Sequence, residues 1–290
     1  MPCLSALSFS FLFPGAGLSF FSLFMAMPSN HRGLGARPDQ QDFSRIFPQA
    51  VYSAELRERK ASTIVAVLQD FFGVDLGSLT LLDIGSSTGI IAHYLSQHFG
   101  RVAGIDIDRS AIDFARRTFK KANLHFALGD AMDMAFADHA FDVLICGHIY
   151  EHVPDARRLM DEIYRVLKPG GICYFAAGNR LSILEPHYRL PFLSMLPKRL
   201  SHLYLRLTKR GRIYHENLLT YRKIRGLVNR FLVVDYTRRI VENPRLFHAD
   251  YMIQEGTFKF RLANFMVRYA YALCPTYIWL LVKSGNRRRT

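Results

Sequence analysis

The stretch LLDIGSSTG at residues 81–89 decides the fold. Its apolar first half predicts a short buried strand, and its two glycines predict a tight turn directly after that strand. Ile91 and Leu95 then lie four residues apart, which places them on one face of a helix. A strand that leads through a turn into a helix is the repeating unit of parallel α/β proteins.

The same alternation of strand and helix continues on both sides of this unit. We predict strands at residues 79–84, 102–107, 124–128, 141–146, 172–176, 232–241 and 277–282. Strands that alternate with amphipathic helices imply a mostly parallel sheet with helices on both faces. The expected fold class is therefore α/β, with a Rossmann-like, seven-stranded, mostly parallel sheet.

Two segments interrupt this alternation. Residues 180–219 are rich in Pro, Leu, Tyr and Arg, and we interpret them as a helical insertion or lid after strand 5. Residues 243–275 would be a second helical insertion, after strand 6. The sequence thus predicts a single domain over residues 50–290 that carries two insertions.

Residues 1–30 differ from the rest, because they contain no charged side chain and are rich in Phe, Leu and Ser. A signal peptide or membrane anchor would use residues 4–27, but Pro14 and Gly15 interrupt this run and no basic region precedes it. We expect a disordered extension, with Met25 or Met27 as an alternative first residue.

Composition and charge restrict the classes of protein. A hydrophobic content of 50% argues against a wholly disordered chain. The net charge of +14 attracts anions such as nucleic acid, acidic lipids or phosphorylated substrates. Twelve Lys or Arg residues lie within 180–230, against two Glu. The four cysteines form no C-x-x-C pair, so we expect no zinc site and a reducing, cytoplasmic location.

The turn at residues 85–89 lies where open α/β sheets bind ligands, at the carboxyl edge of the strands. A dinucleotide fingerprint would require glycine at Ser87 and Ile90, and a P-loop would require Gly-Lys, so both of these motifs fail. Asp106 ends the second strand about 20 residues after the turn, at the spacing where a carboxylate accepts hydrogen bonds from ribose hydroxyls. These features predict a nucleoside site.

Four motifs in order resemble class I S-adenosylmethionine-dependent methyltransferases of the small-molecule branch (methyltransferase type 11-like). The first is D-x-G-x-G-x-G at 83–89, in which Ser87 replaces the middle glycine. The second is the acid Asp106, and the third is the turn GDA at 129–131. The fourth is FDVLICGHIYEHV at 141–153 with LKPGG at 167–171. The resemblance covers residues 80–178.

This resemblance implies S-adenosyl-L-methionine as the cofactor and assigns roles to individual residues. Asp83 would order the loop near the methionine end, and Asp106 would bind the ribose. Asp130 would accept the exocyclic amine of adenine. The remaining residues expected at the cofactor are Gly85, Ser87, Gly89, Ile107, Ala131 and Cys146.

Methyl transfer is an in-line displacement that needs alignment and exclusion of water, and it requires no metal. A hydroxyl or acidic carbon as acceptor would need a base, for which His152 and His148 are the candidates. His152 is equally well interpreted as a helix-capping or core residue. His187 and Tyr188 in the lid are weaker candidates.

The acceptor is expected to be a small molecule, a lipid or a glycan. Aromatic and basic residues interleave at 200–214 and 258–279, which permits peripheral contact with a membrane, although such helices usually pack inward. An RNA methyltransferase is an alternative, but no RNA-binding appendage and no Asn-Pro-Pro-Tyr-like signature after Cys146 supports it, so a nucleic acid partner is not expected. A non-catalytic nucleoside-binding scaffold of the same fold is the other alternative.

Overall fold

The computed structural model describes residues 41, 43–46, 51–73 and 75–285. The apolar segment 1–30, and with it the predicted disordered extension, lies outside the described residues. Within them, no helix combines the length and the apolar character that crossing a bilayer requires.

Seven of the described strands form one sheet, and two short strands form a separate hairpin. The sheet contains β1 (Thr80–Ile84), β2 (Arg101–Asp106), β3 (Leu124–Leu128), β4 (Phe141–Gly147), β5 (Leu167–Gly178), β8 (Leu232–Asp235) and β9 (Thr276–Val282). The hairpin pairs β6 (Leu184–Glu185) with β7 (Leu190–Pro191).

The strand order is β3-β2-β1-β4-β5-β9-β8. In this sheet β9 runs in the direction opposite to the other six strands. From β1 the chain moves outward through β2 to β3 and then crosses back to β4. Loops that leave β1 and β4 therefore diverge, which opens a crevice at the carboxyl edge between them. The predicted mostly parallel, seven-stranded sheet is confirmed.

The described residues contain nine α-helices, including the predicted one that carries Ile91 and Leu95. They are α1 (Phe43–Ile46), α2 (Ala54–Phe72), α3 (Ile90–Leu95), α4 (Arg109–Thr118), α5 (Ala156–Val166), α6 (Lys198–Leu207), α7 (Tyr221–Leu227), α8 (Thr237–Glu242) and α9 (Phe258–Tyr269). Asp108 caps α4 by accepting from the backbone of Ala111, and Asp155 caps α5 in the same way. After α5 the LKPGG segment forms a bulge in which the pairing of β5 with β4 shifts register.

Side chains of successive strand residues point to opposite faces, and each face is covered by helices. Leu82 and Ile84 of β1 share a core with Ile163 of α5, whereas Leu81 shares the opposite core with Leu68 of α2. The two cores explain the nearly continuous apolar strands, because strands buried on both faces show no alternation. The prediction of helices on both faces is confirmed.

The predicted strand at 232–241 is wrong in its second half. It ends at Asp235, whose Oδ1 accepts a hydrogen bond from the Thr237 backbone at 2.8 Å. The Thr237 hydroxyl then accepts from the backbone of Ile278 at 2.9 Å, which ties the turn to β9 and starts α8. The apolar residues at the two ends of this segment do not distinguish strand from helix, and the hydrogen bonds of Asp235 and Thr237 decide the outcome here. The helical insertion after strand 6 therefore begins near residue 237 rather than 243.

The lid insertion contains more than helix. After β5 come the β6–β7 hairpin, a 3₁₀ turn at Leu193–Met195 and then α6. These pieces pack around a small apolar cluster of their own, separate from the two sheet cores, which consists of Leu190, Leu193, Leu205 and Tyr214.

Candidate active site

A cavity of about 1070 Å³ lies at the carboxyl edge of the sheet and continues under the lid. Its first part, here called the glycine-loop half, is walled by the loops after β1, β2 and β3. Its second part, the lid half, is walled by residues 147–153 after β4 and by lid residues 178–218. Of the residues predicted for the cofactor, seven line this cavity: Asp83, Gly85, Ser87, Asp106, Ile107, Asp130 and Ala131.

The glycine loop is tied to β2 through its backbone. The amides of Gly85 and Ser86 both donate to the carbonyl of Ile105, at 2.8 and 2.9 Å. Gly85 and Gly89 adopt φ values of +73° and +79°, which side chains rarely tolerate. Gly89 faces the core, because a Cβ there would lie 2.6 Å from the Phe126 ring. This glycine therefore permits close packing of α3 on the sheet, and it does not line the cavity.

Ser87 occupies the position where the resembling motif has glycine, and its φ is +51°. A left-handed conformation costs a non-glycine residue about 1–2 kcal/mol. The Ser87 amide donates to Oδ2 of Asp106 at 2.8 Å, so the strained residue holds a carboxylate in place. The strain thus lies at the site itself.

Asp106 has the properties of an acceptor for sugar hydroxyls. Its Oδ1 accepts from the amide of Asp108 at 2.8 Å, and its Oδ2 accepts from Ser87, which leaves lone pairs on both oxygens. Burial raises the pKa of Asp106 to about 6, although the backbone donors oppose this rise. The carboxylate is therefore mostly ionised at neutral pH and fixed in orientation.

Asp83 is a buried carboxyl group with one unused oxygen. Its side chain is 4% exposed, and its Oδ2 has no hydrogen-bond partner among the described residues. Burial raises the pKa of Asp83 to about 7, while the positive charge of Arg57 on α2 opposes the shift. A buried acceptor without a partner is costly. A cationic group such as the ammonium of the methionyl moiety fits this position.

Asp130 shows the same feature in the turn after β3. Its Oδ1 accepts from the amide of Met132 at 2.7 Å, which is a local turn contact. Its Oδ2 is buried and has no partner in the described part of the chain. The unused oxygen fits an amine donor, as expected for adenine. Ile107 and Ala131 line the cavity and offer apolar surface.

Some residues that line the cavity were not predicted from the sequence, and a second predicted residue, besides Gly89, does not line it. Arg57 and Lys60 of α2 line the glycine-loop half. Nothing in the spacing of α2 distinguishes these two from ordinary basic residues on a solvated helix face. Cys146, expected at the cofactor, is fully buried in the core beside the wall residue Gly147.

His148 and Glu151 form an oriented pair at the entrance to the lid half. Nδ1 of His148 lies 3.1 Å from Oε1 of Glu151. Although burial acts to raise it, the contact with His148 holds the pKa of Glu151 below its usual range. With an ionised carboxylate on Nδ1, the basic nitrogen of the imidazole is Nε2. His148 adopts φ +59°, an uncommon conformation that places its ring at the cavity wall.

His152 belongs to a different group of side chains. It lies with His187 of the hairpin and Glu216 of the lid, and one potential ligand atom from each lies within 4.8 Å of the others. The imidazoles of His152 and His187 make an edge-to-face contact with ring centroids 5.0 Å apart. Residues from three distant segments meet here, so no spacing in the sequence predicted the cluster.

Part of this chain matches known proteins in sequence. Residues 82–175 match the family described as methyltransferase domain. The demethylmenaquinone methyltransferase of Lactococcus lactis is 33% identical over 131 residues, which is 42% of this chain and 52% of the relative. The ubiquinone/menaquinone biosynthesis C-methyltransferase of Desulfotalea psychrophila is 35% identical over 127 residues, with the same shares. This chain spans about half the length of these curated relatives.

Solved structures share the fold at low sequence identity. A Haloferax volcanii methyltransferase in complex with the Trm112 activator is 19% identical and gives a TM-score of 0.53 over 85% of this chain and 98% of that chain. The plantazolicin methyltransferase, solved with a substrate analogue and S-adenosylhomocysteine, is 19% identical with the same TM-score, over 85% and 91%. The fold, the motif residues at the crevice and the family match of residues 82–175 together show that this chain contains a class I S-adenosylmethionine-dependent methyltransferase domain.

Proposed function

We propose that this chain transfers a methyl group to a small, largely apolar acceptor, either a small molecule or a lipid. The observation that carries the proposal is the glycine-loop half, where one fixed carboxylate and two buried carboxyl oxygens with no partner among the described residues face the same cavity. S-adenosylmethionine supplies an electrophilic methyl group when bound. We assign the ribose hydroxyls to Asp106, the ammonium to Asp83 and the adenine amine to Asp130.

The names of the relatives suggest the class of acceptor. One relative is named a demethylmenaquinone methyltransferase, a second a C-methyltransferase of ubiquinone/menaquinone biosynthesis, and a third an O-methyltransferase of ubiquinone biosynthesis. The lid half of this chain offers suitable apolar walls, including Ile149, Leu184, Ile213 and Leu218. An acceptor with an aromatic or apolar body and one ionisable oxygen suits these walls and a nearby base.

His148 is the proposed base. Its Nε2 takes the proton from the acceptor hydroxyl or acidic carbon, and Glu151 stabilises the resulting imidazolium through Nδ1. Residues of the lid line this end of the cavity, where a bound acceptor would displace water. His152, the other base candidate, lies beside a second histidine and a carboxylate, in the cluster with His187 and Glu216.

Membrane contact is the second part of the proposal. Helix α9 exposes an apolar stripe of Phe258, Leu262, Phe265 and Tyr269, with exposed fractions between 46% and 80%. Lys259, Arg261 and Arg268 flank this stripe, and the whole chain carries a net charge of +14. Exposed apolar stripes beside basic residues are typical of helices that lie on an anionic lipid surface.

Two experiments test these proposals. Purified chain with S-adenosylmethionine is screened against quinols, phenols and prenylated acceptors, with mass detection of one added methyl group.

For the apolar stripe of α9, co-sedimentation of the chain with phosphatidylglycerol vesicles should exceed that with phosphatidylcholine vesicles. The double variant Phe258→Ser, Phe265→Ser should lose most of that binding, because each buried aromatic contributes about 1.5–3 kcal/mol. The matched control Leu246→Ser, also at an exposed apolar residue, should bind like the parent.

A further inference from the structure

The cluster of His152, His187 and Glu216 has a feature that simple packing does not explain. Glu216 is 3% exposed, and its Oε2 has no hydrogen-bond partner among the described residues. A buried carboxylate oxygen without a partner costs several kcal/mol unless a ligand satisfies it. All three side chains line the lid half of the cavity. The unused oxygen therefore lies where a ligand from the cavity can reach it.

A further carboxylate orients one of the histidines. Oε1 of Glu185 lies 2.8 Å from Nδ1 of His187, and Oε2 of Glu185 accepts from the Tyr188 amide at 2.7 Å. Glu185 is fully buried, so its two contacts fix it firmly. The contact leaves Nε2 as the nitrogen of His187 that is available to the cluster. A carboxylate behind a ligating histidine is the usual arrangement in metal sites, where it fixes the ring and raises its basicity.

We propose that His152, His187 and Glu216 bind one divalent transition-metal ion such as Zn²⁺. Two histidines and one glutamate form a three-ligand set found at catalytic zinc, and imidazole nitrogens select such ions over Mg²⁺ or Ca²⁺. Ligand atoms of one tetrahedral zinc ion lie about 3.3–3.6 Å apart, given bond lengths of about 2.0–2.2 Å. The three atoms here lie within 4.8 Å of one another, so small side-chain movements bring them to the ion.

The charges around the cluster favour a cation. Glu151 and Glu185 add two buried carboxyl groups to that of Glu216, whereas Lys198 contributes a positive charge through its bond to the Glu216 carbonyl. Three protein ligands leave a coordination position open toward the cavity. An acceptor oxygen can bind there and be polarised by the ion. This role of the ion depends on the proposed methyl transfer, whereas binding of the ion does not depend on it.

Calorimetric titration of the metal-free, tag-free full chain with ZnCl₂ tests the proposal. We expect one ion per chain with a Kd below about 1 µM, and at least a tenfold weaker Kd for His187→Ala and for Glu216→Gln. Glu185→Gln should weaken binding about tenfold, because it removes the orienting carboxylate. His98→Ala is the matched control, since this histidine precedes β2 at the opposite edge of the sheet. Its affinity should equal that of the parent.

Spectra of the Co²⁺-loaded chain give a second readout, since visible absorption bands should appear in the parent and in His98→Ala and be lost in His187→Ala. Folded parent protein that binds no zinc would overturn the proposal. Unchanged affinity in both His187→Ala and Glu216→Gln would also overturn it. S-adenosylmethionine titrations on the same samples separate this proposal from methyl transfer. If the cofactor binds and zinc does not, only the metal site is refuted.

Discussion

The two halves of the cavity are built by different principles. In the glycine-loop half, residues 83–131 meet because the carboxyl ends of adjacent parallel strands lie side by side. In the lid half, the chemistry comes from His148, from the hairpin at His187 and from the lid at Glu216. The residues of the first half can therefore be predicted from the order of strands along the chain. Those of the second half depend also on how an insertion folds. We therefore assign cofactor binding to the strand ends, and acceptor binding to the loop after β4 together with the insertion.

The largest expected effect is on the proposed base in the lid half. His148→Ala should lower kcat for methyl transfer about 100-fold or more, because general bases contribute about 10²- to 10⁴-fold. Affinity for S-adenosylmethionine should stay within about twofold, since this residue belongs to the other half. Rates measured with an acceptor from the screen, beside calorimetry, check both statements. Glu151→Gln should cost less, because it only positions the imidazole. An unchanged kcat in His148→Ala would remove the base from the mechanism.

A second prediction concerns pH and the unused oxygen of Asp83. Its folded pKa of about 7 lies above the ordinary value of 3.8, so between these values the folded state binds more protons than the unfolded state. The free energy of unfolding of the cofactor-free protein should therefore fall as pH rises from about 4 to 7. Asp83→Asn should remove the part of that fall that Asp83 contributes, at most a few kcal/mol at about 1.4 kcal/mol per pKa unit.

Denaturant unfolding of both proteins at pH 5 and pH 8 measures this effect. The variant should gain stability relative to the parent at pH 8, while its affinity for S-adenosylmethionine should fall. Asp161→Asn, at an exposed residue, is the matched control and should show no such gain. A stability difference that is the same at both pH values would contradict the assigned burial effect.

The smallest expected effect is at Ser87. Replacing it by glycine relieves the left-handed strain, which is partly offset by the greater freedom of glycine in the unfolded chain. Ser87→Gly should therefore raise stability by about 0.5–1 kcal/mol, or a Tm increase of about 1–4 °C. Ser78→Gly, in a turn outside the left-handed region, should lower the Tm. A lower Tm for Ser87→Gly would show that the serine side chain stabilises the loop.

Most residues that the sequence predicted for the cofactor line the glycine-loop half, because they mark strand ends. Asp106 follows an apolar strand, so its place at the crevice could be derived. Arg57 escaped notice because a basic residue on an amphipathic helix is normally solvated, and nothing local shows that this helix covers the cavity. Glu216 was not predicted because its interest lies in its burial, and the sequence of an irregular lid segment does not show which side chains are buried. The end of β8 was not predicted because it depends on a contact with a distant strand, in which the Thr237 hydroxyl accepts from the Ile278 amide.

The central claim is that the crevice binds S-adenosylmethionine through a fixed carboxylate at the end of β2. Calorimetric titration of the folded parent, of Asp106→Ala and of the exposed control Asp161→Ala tests it most directly. We predict one site per parent chain, at least a 100-fold weaker Kd in Asp106→Ala, and no change in Asp161→Ala. Equal affinity in all three proteins, or no heat from the folded parent, would contradict the account.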